Sequence, residues 1–266
     1  MQELTAYFIT TGRVHANEAL ESLNAQGFRR PIVTIRNVRP LAAAHLPTLE
    51  CETPYCLVLD DDTVLRPGVV QTLLDRFREK RSADPSGFKF NAMIYCRATS
   101  GWDFGGLKLF YTPHLIQVGW PDAPHVAIAQ ARKAKRMGFT VMNSDIKAGV
   151  QRPGTGLDVY KKYLWLEIRA RAGQLQKVSL ARVARKAWDG QHWLWFAVLG
   201  LADARAVGDI STSKDEDFRG PIGRTIDFRQ VDGEDIRRIL ADRGLIAAQP
   251  ESGRQPPGPG ATSPRP

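Results

Sequence analysis

The amino-acid sequence predicts an α/β fold, a mixed and mainly parallel sheet flanked by helices, followed by a helical C-terminal extension. Three observations carry that reading. Apolar runs of strand length alternate with amphipathic stretches of helical spacing along the first half of the chain. The strand-like run Tyr55–Leu59 stops abruptly at Asp60, Asp61 and Asp62, after which Pro67 and Gly68 open a helix. From Tyr160 onward, basic and aromatic residues interleave in helical patterns.

In chain order, Leu4–Thr10 is a first strand that runs into Thr11-Gly12-Arg13, a loop able to approach a phosphate or a base. Ala16–Gln26 is a helix with Leu20 and Leu23 on one face and Gly27 as its stop. Pro31–Ile35 is a second strand, Leu41–Leu49 a short helix and Tyr55–Leu59 a third strand. This alternation predicts parallel strands with a ligand site at their carboxyl ends. Val69, Val70, Leu73, Leu74 and Phe77 then recur at helical spacing as far as Lys80. Arg81–Gly87 reads as a loop, Asn91–Cys96 as a strand, Gly101–Gly106 as a flexible aromatic loop and Leu107–Phe110 as a strand. His114–Val118 is a short element, and Gly119–Pro124 a rigid loop before a helix over His125–Met137. That helix gathers Arg132, Lys133, Lys135 and Arg136 near its negative pole and stops at Gly138. Phe139–Met142 is one more strand.

The chain divides into a core over residues 1–150, a mainly helical extension over 151–246 and a Pro/Gly-rich disordered tail over 247–266. Within the extension His192–Gly200 is strongly apolar yet too short to span a bilayer. Two readings stay open for it: a helix packed onto the sheet, or part of a basic, tryptophan-bearing hairpin lying on an anionic membrane. Asp232–Gly244 closes the folded part as a helix capped by Asp232, with Ile236, Ile239 and Leu240 on one side.

Composition sets bounds on function. At 43% hydrophobic and 24% charged residues the chain is ordinary globular material, which excludes a disordered protein. A net charge of +9 suits an anionic partner such as a nucleoside diphosphate, a nucleic acid or an acidic membrane. Cys51, Cys56 and Cys96 are odd in number and lack C-x-x-C spacing, so they read as thiols in a reducing compartment. The opening Met1-Gln2-Glu3-Leu4 has no basic-then-apolar leader, and the expected location is cytoplasmic, with peripheral contact at the inner face of the membrane.

The acidic stretch carries the chemistry. Hard divalent cations take oxygen ligands and keep part of their water, so carboxylates delivered at the end of a buried strand can hold one. In an extended chain Asp60 and Asp62 project to one side and Asp61 to the other. The competing reading is a solvated acidic turn.

Taken together, Ala6–Arg13 leading to Ala19–Leu23, the segment Leu57–Gly68, and Leu115–Asp122 followed by Arg132–Phe139 resemble the GT-A-fold glycosyltransferases of inverting family 2. The fold implied is a Rossmann-like sheet, and the activity implied is sugar transfer from a nucleotide-diphosphate donor, UDP-linked above all, to a hydroxyl of a glycan or lipid-linked acceptor. By the resemblance Asp62 ligates Mn²⁺ or Mg²⁺, and Asp60 meets the metal or the ribose. Thr10, Thr11, Arg13, Asn37 and Asp61 are implied to line the donor pocket. Asp122 is implied to be the general base, with Asp103 as its alternative, and Trp102 and Trp120 to stack on sugar faces. Arg36-Asn37 stands where the family commonly carries an acidic residue, and no histidine completes the metal site, for which Asp145 or water could substitute.

Two further readings compete. Asp60-Asp61-Asp62-Thr63-Val64 also satisfies the D-x-D-x-T/V pattern of haloacid-dehalogenase-like phosphatases, with Asp60 as nucleophile, Asp62 as acid/base, and Gly208-Asp209 with Asp215 as a second acidic cluster. The non-enzymatic reading is a basic nucleic-acid-binding protein, but no helix-turn-helix, zinc or RNA-binding sheet motif is present, so no nucleic-acid partner is expected.

Overall fold

A computed structural model describes residues 1–38, 43–99, 101–121, 126–152, 154–171, 178–207 and 219–246. The strands are β1 (Leu4–Thr10), β2 (Val33–Arg36), β3 (Tyr55–Asp60), β4 (Thr63–Leu65), β5 (Gly87–Cys96), β6 (Gly101–Tyr111) and β7 (Thr140–Gln151). They form one sheet in the order β2-β1-β3-β6-β5-β7-β4. Pairs β1–β2, β1–β3 and β5–β7 are parallel while β6 and β4 run against their neighbours, so five of the seven strands point one way. The predicted class, mixed and mainly parallel, is the one observed.

β1 is buried throughout, and β3 as far as Leu59, because helices cover both faces of the sheet. On one face Leu4, Phe8, Leu57 and Leu59 meet α1 (Ala16–Asn24) and α2 (Val69–Ala83) through Leu23, Leu73 and Phe77. On the other, Tyr7, Ile9, Val58, Phe88 and Phe110 meet α3 (Thr112–Val118) and α4 (Val126–Arg136). Leu115, Val118 and Ala134 fill that second layer.

Several boundaries depart from the sequence reading. α2 continues to Ala83 and β5 begins at Gly87, so the loop expected over Arg81–Gly87 shrinks to a short turn. Gly101–Gly106 is no loop: it is the first half of β6, paired to β5 through Tyr95–Trp102 and Ile94–Asp103. Glycine suggests a loop, but here it serves close approach, since a Cβ on Gly106 (φ +72°) would lie 2.1 Å from Thr63 Oγ1. The helix expected over Leu41–Leu49 is a 3₁₀ segment, Ala43–Glu50, containing Pro47, whose missing N–H denies it an α-helical ladder. β7 runs on to Gln151, well past Met142, because it continues its ladder with β5 and its last residues, Gly149 to Gln151, pair with β4, a strand that sequence reasoning missed.

That β4–β7 pairing curls the sheet. Only Asp61 and Asp62 separate the end of the central strand β3 from β4 at the far edge. The end of β7 is thereby brought back against β3, where Arg152 N–H donates to the Asp62 carbonyl at 2.8 Å.

The extension consists of α5 (Gly156–Arg171), α6 (Leu180–Trp188), α7 (Trp195–Ala206) and α8 (Gly233–Asp242) around a core of its own. α7 is packed among these helices, with Trp195, Val198, Leu199 and Leu201 fully buried, rather than laid flat on the sheet. α5 and α7 touch backbone to backbone, for a Cβ on Gly200 would lie 2.4 Å from the Tyr160 carbonyl oxygen. Asp203, fully buried, accepts from Tyr160 Oη at 2.6 Å and from the amides of Ile222 and Gly223 at 2.8 Å, pinning the segment before α8. Asp232 caps α8 in a reciprocal capping box with Asp235. The expected disordered tail and the Gly208, Asp209 and Asp215 cluster lie outside the described residues. No helix among the described residues is long and apolar enough to cross a membrane.

Candidate active site

β1 is followed by β2 on one side and β3 on the other, so the connections diverge between β1 and β3. At such a switch point the loops leave a crevice at the carboxyl ends of the strands. Thr10–Arg13 leaves β1 there, Asn37 follows β2, and Asp60–Asp62 ends β3. Asn37 adopts φ +54°, a left-handed geometry that asparagine tolerates, and its amide donates to the Thr10 carbonyl at 2.9 Å.

The three aspartates do different work. Asp61 is buried and organises the first loop: its Oδ2 accepts from Thr10 Oγ1 at 2.9 Å and from the Thr11 amide at 2.8 Å. Thr10 Oγ1 in turn accepts from the Gly12 amide at 2.9 Å. Asp62, also buried, is held by Arg13 Nη1 at 2.5 Å and by Gln151 Nε2 at 3.1 Å to each carboxylate oxygen. Asp60 is partly exposed and pairs with Lys108 Nζ at 3.2 Å. The strand alternation therefore ends at Asp60. In the turn that follows, Asp61 and Asp62 flank the same guanidinium, Arg13 Nε lying 3.7 Å from Asp61 Oδ1.

The electrostatics follow from this crowding. Burial raises the Asp62 carboxyl above the ordinary aspartate range; Arg13 opposes the shift, and the charges of Asp60 and Asp61 add to it. Burial would lower the Arg13 guanidinium, but Asp62 and Asp61 more than reverse this. Three carboxylates face two contacting cations, Arg13 and Lys108, so the turn keeps an excess of negative charge.

The remaining candidates lie as follows. β6 runs antiparallel to β3 and pairs Leu107 with Leu59, so Asp103 lies beyond the end of β3, on the same end of the sheet as the aspartates. It is exposed. Trp102 is also exposed, edge-on to Tyr95 with Lys147 over its ring. Trp120 instead packs on His45 and Phe110 and donates to Thr48 Oγ1 at 2.8 Å, as a core residue does. Asp122 lies outside the described residues, just ahead of α4. Asp145 is exposed on β7 and senses Arg76 of α2; the residue of β7 that reaches Asp62 is Gln151. Sequence reasoning missed Gln151, Lys108 and the buried Lys89, whose one visible signal was a lysine inside each of two apolar strand runs.

A divalent cation fits the donor chemistry of the turn, which offers hard carboxylate oxygens and surplus negative charge. Among the described residues, however, no three His, Cys, Asp or Glu side chains gather as a ready-made metal cluster.

The class of fold these elements define is a Rossmann-like α/β sheet, mixed and mainly parallel, with a helical extension. No family model matches the chain, and no curated protein matches it. Solved structures similar to it include glycosyltransferases. One is the mannosyltransferase PcManGT from Pyrobaculum calidifontis in complex with GDP-Man and Mn²⁺, at 16% identity and TM-score 0.47, covering 78% of this chain and 76% of that one. A second is TarS from S. aureus in complex with UDP-GlcNAc, at 11% identity and TM-score 0.44, covering 77% and 81%. A third is 4-diphosphocytidyl-2C-methyl-D-erythritolsynthase from Anaerococcus prevotii, at 7% identity and TM-score 0.39, covering 59% and 95%.

Proposed function

We propose that the protein is a metal-dependent glycosyltransferase that moves a sugar from a nucleoside-diphosphate donor to a hydroxyl acceptor. In this reading residues 1–150 are the catalytic core and 151–246 a helical extension that braces it. One observation carries the proposal: Thr10–Arg13, Asn37 and Asp60–Asp62 meet at the crevice where the connections from β1 diverge.

Each group then has a task. Asp61 fixes the Thr10–Arg13 loop, so the nucleotide meets a preformed wall rather than a mobile one. Asp60 and Asp62 would hold the cation, whose charge supplements the protein's against the diphosphate. Arg13, partly exposed between Asp61 and Asp62, supplies a guanidinium within the same pocket. Asp122, or Asp103 on β6, accepts the proton of the acceptor hydroxyl as its oxygen attacks the anomeric carbon, and the sugar–phosphate bond breaks to release the nucleoside diphosphate.

The test is a calorimetric titration of the full chain with UDP, GDP and CDP, with and without Mn²⁺, on wild type and Asp62→Ala. Metal-dependent binding of one nucleotide, lost in the variant while its melting transition persists, is the expected result. Failure of every nucleotide to bind wild type with metal present would overturn the proposal.

A further inference from the structure

A cavity of about 620 Å³ opens between α4 and the sheet face formed by β5, β6 and β7. Lys89 of β5 lines it and is only 5% exposed, whereas Arg132 and Lys135 of α4 also line it and are exposed. The lysine thus sits at the floor and the other two cations at the rim. Phe104, Ile128 and Val141 supply apolar wall between them, and the first two are themselves exposed.

The buried lysine is the anomaly. Lys89 lies between Phe88 and Phe90, and its register partners are Phe110 and Val141, so an aliphatic residue would satisfy the packing. Its Nζ approaches the Phe110 ring at 5.6 Å. Among the described residues no carboxylate pairs with Lys89, Arg132 or Lys135; Asp60, the acidic group that Lys89 senses through space, is itself paired to Lys108. Burial, helped by Lys108, drives the lysine down to about 7, which is the response of an ammonium held without a counter-ion. Helix-pole electrostatics explain cations at the end of α4. They do not explain one inside a strand beneath it.

The geometry points to a second binding site in this cavity, one that takes a phosphate monoester carried on an apolar chain or ring. Two exposed cations and a buried amine that a bound dianion would hold protonated match a doubly charged group better than a carboxylate, and the guanidinium of Arg132 adds a planar fork suited to phosphate oxygens. The apolar wall favours a ligand with a hydrophobic body over a bare ion. The site neighbours the aspartate turn through Lys108, which pairs with Asp60, yet the proposal does not rest on the transferase reading.

Calorimetry on the full chain with octyl phosphate below its micelle concentration tests this, with octanol, octanoate and inorganic phosphate as the comparison arms. The expected result is saturable binding of octyl phosphate, at least tenfold tighter than any of the other three. Lys89→Met should lower that affinity at least tenfold while melting no earlier than wild type, because the change removes an unpaired buried charge. The double variant Arg132→Ala/Lys135→Ala alters exposed positions only and should weaken binding severalfold with its fold intact. Tighter binding of inorganic phosphate than of octyl phosphate would overturn the apolar half of the proposal. Absence of saturable binding, or equal affinity in all three proteins, would overturn the whole.

Discussion

Gln151 stands between Asp62 and Lys162, donating through Nε2 to both carboxylate oxygens at 3.1 Å and accepting through Oε1 from Lys162 Nζ at 3.4 Å. Lys162 also reaches Cys96 Sγ at 2.9 Å. One amide therefore joins the acidic turn after β3 to the first helix of the extension. Gln151→Leu should lower stability by about 1–3 kcal/mol, since it leaves a buried carboxylate short of donors. Lys162→Met should be non-additive with it, with a coupling of at least about 0.5 kcal/mol in a double-mutant cycle read by urea denaturation. Strict additivity would show that the amide makes two separate contacts and no link.

On the proposed transferase reading, the acceptor's proton provides a test between two carboxylates. Asp122→Asn should leave the affinity for the nucleotide donor unchanged and lower turnover by about 10²–10⁴. Asp103→Asn should lower it far less. The reverse ranking in steady-state kinetics would move the role to the exposed aspartate on β6.

Asp203 should behave as a structural pin. Asp203→Ala strands the Tyr160 hydroxyl and the amides of Ile222 and Gly223 together, so the expected loss is about 3 kcal/mol or more. Tyr160→Phe removes one of the three contacts and also the acceptor of the Gly220 amide at 2.8 Å, and should cost about 1–3 kcal/mol. Denaturant midpoints that fall with an unchanged m-value are the expected signature. A loss in Asp203→Ala no larger than that in Tyr160→Phe would mean the two amides find water instead.

Lys89 gives stability a pH dependence of definite sign. Folding lowers its pKa from the ordinary 10.5 to about 7, so between those values the unfolded chain holds the proton that the folded chain has released. Stability from this group therefore rises as pH climbs through that window. Lys89→Met, which has no proton to lose, should be more stable than wild type near neutrality, with the gap narrowing toward pH 10.5. Melting temperatures of the pair compared across that range check it; a constant gap would show that Lys89 is solvated.

What the sequence made legible was set by short-range pattern. β1, α1, β3, α2 and the Asp232 cap announce themselves through periodicity and punctuation, and the acidic triplet falls where a parallel sheet keeps its crevice. Contacts made by the curl of the sheet left no such trace. Gln151 meets Asp62 only because β4 pairs with β7, and nothing within either segment foretells the other. The division of labour among Asp60, Asp61 and Asp62 was hidden for a related reason: strand alternation stops where β3 stops, and in the turn side chains follow their partners. Gly101–Gly106 misled in the opposite direction, its glycines suggesting a loop where the ladder to β5 makes a strand.

The backbone contact between α5 and α7 at Gly200 limits how the molecule can be shortened. A chain ending after α5 would expose to water the groove in which α7 lies, including the buried side chains of Tyr160 and Leu164. Any attempt to isolate the sheet for crystallisation or assay should therefore stop ahead of Gly156 or continue through α8. Intermediate end points invite aggregation, and a negative assay from one would reflect sticky helices rather than missing chemistry.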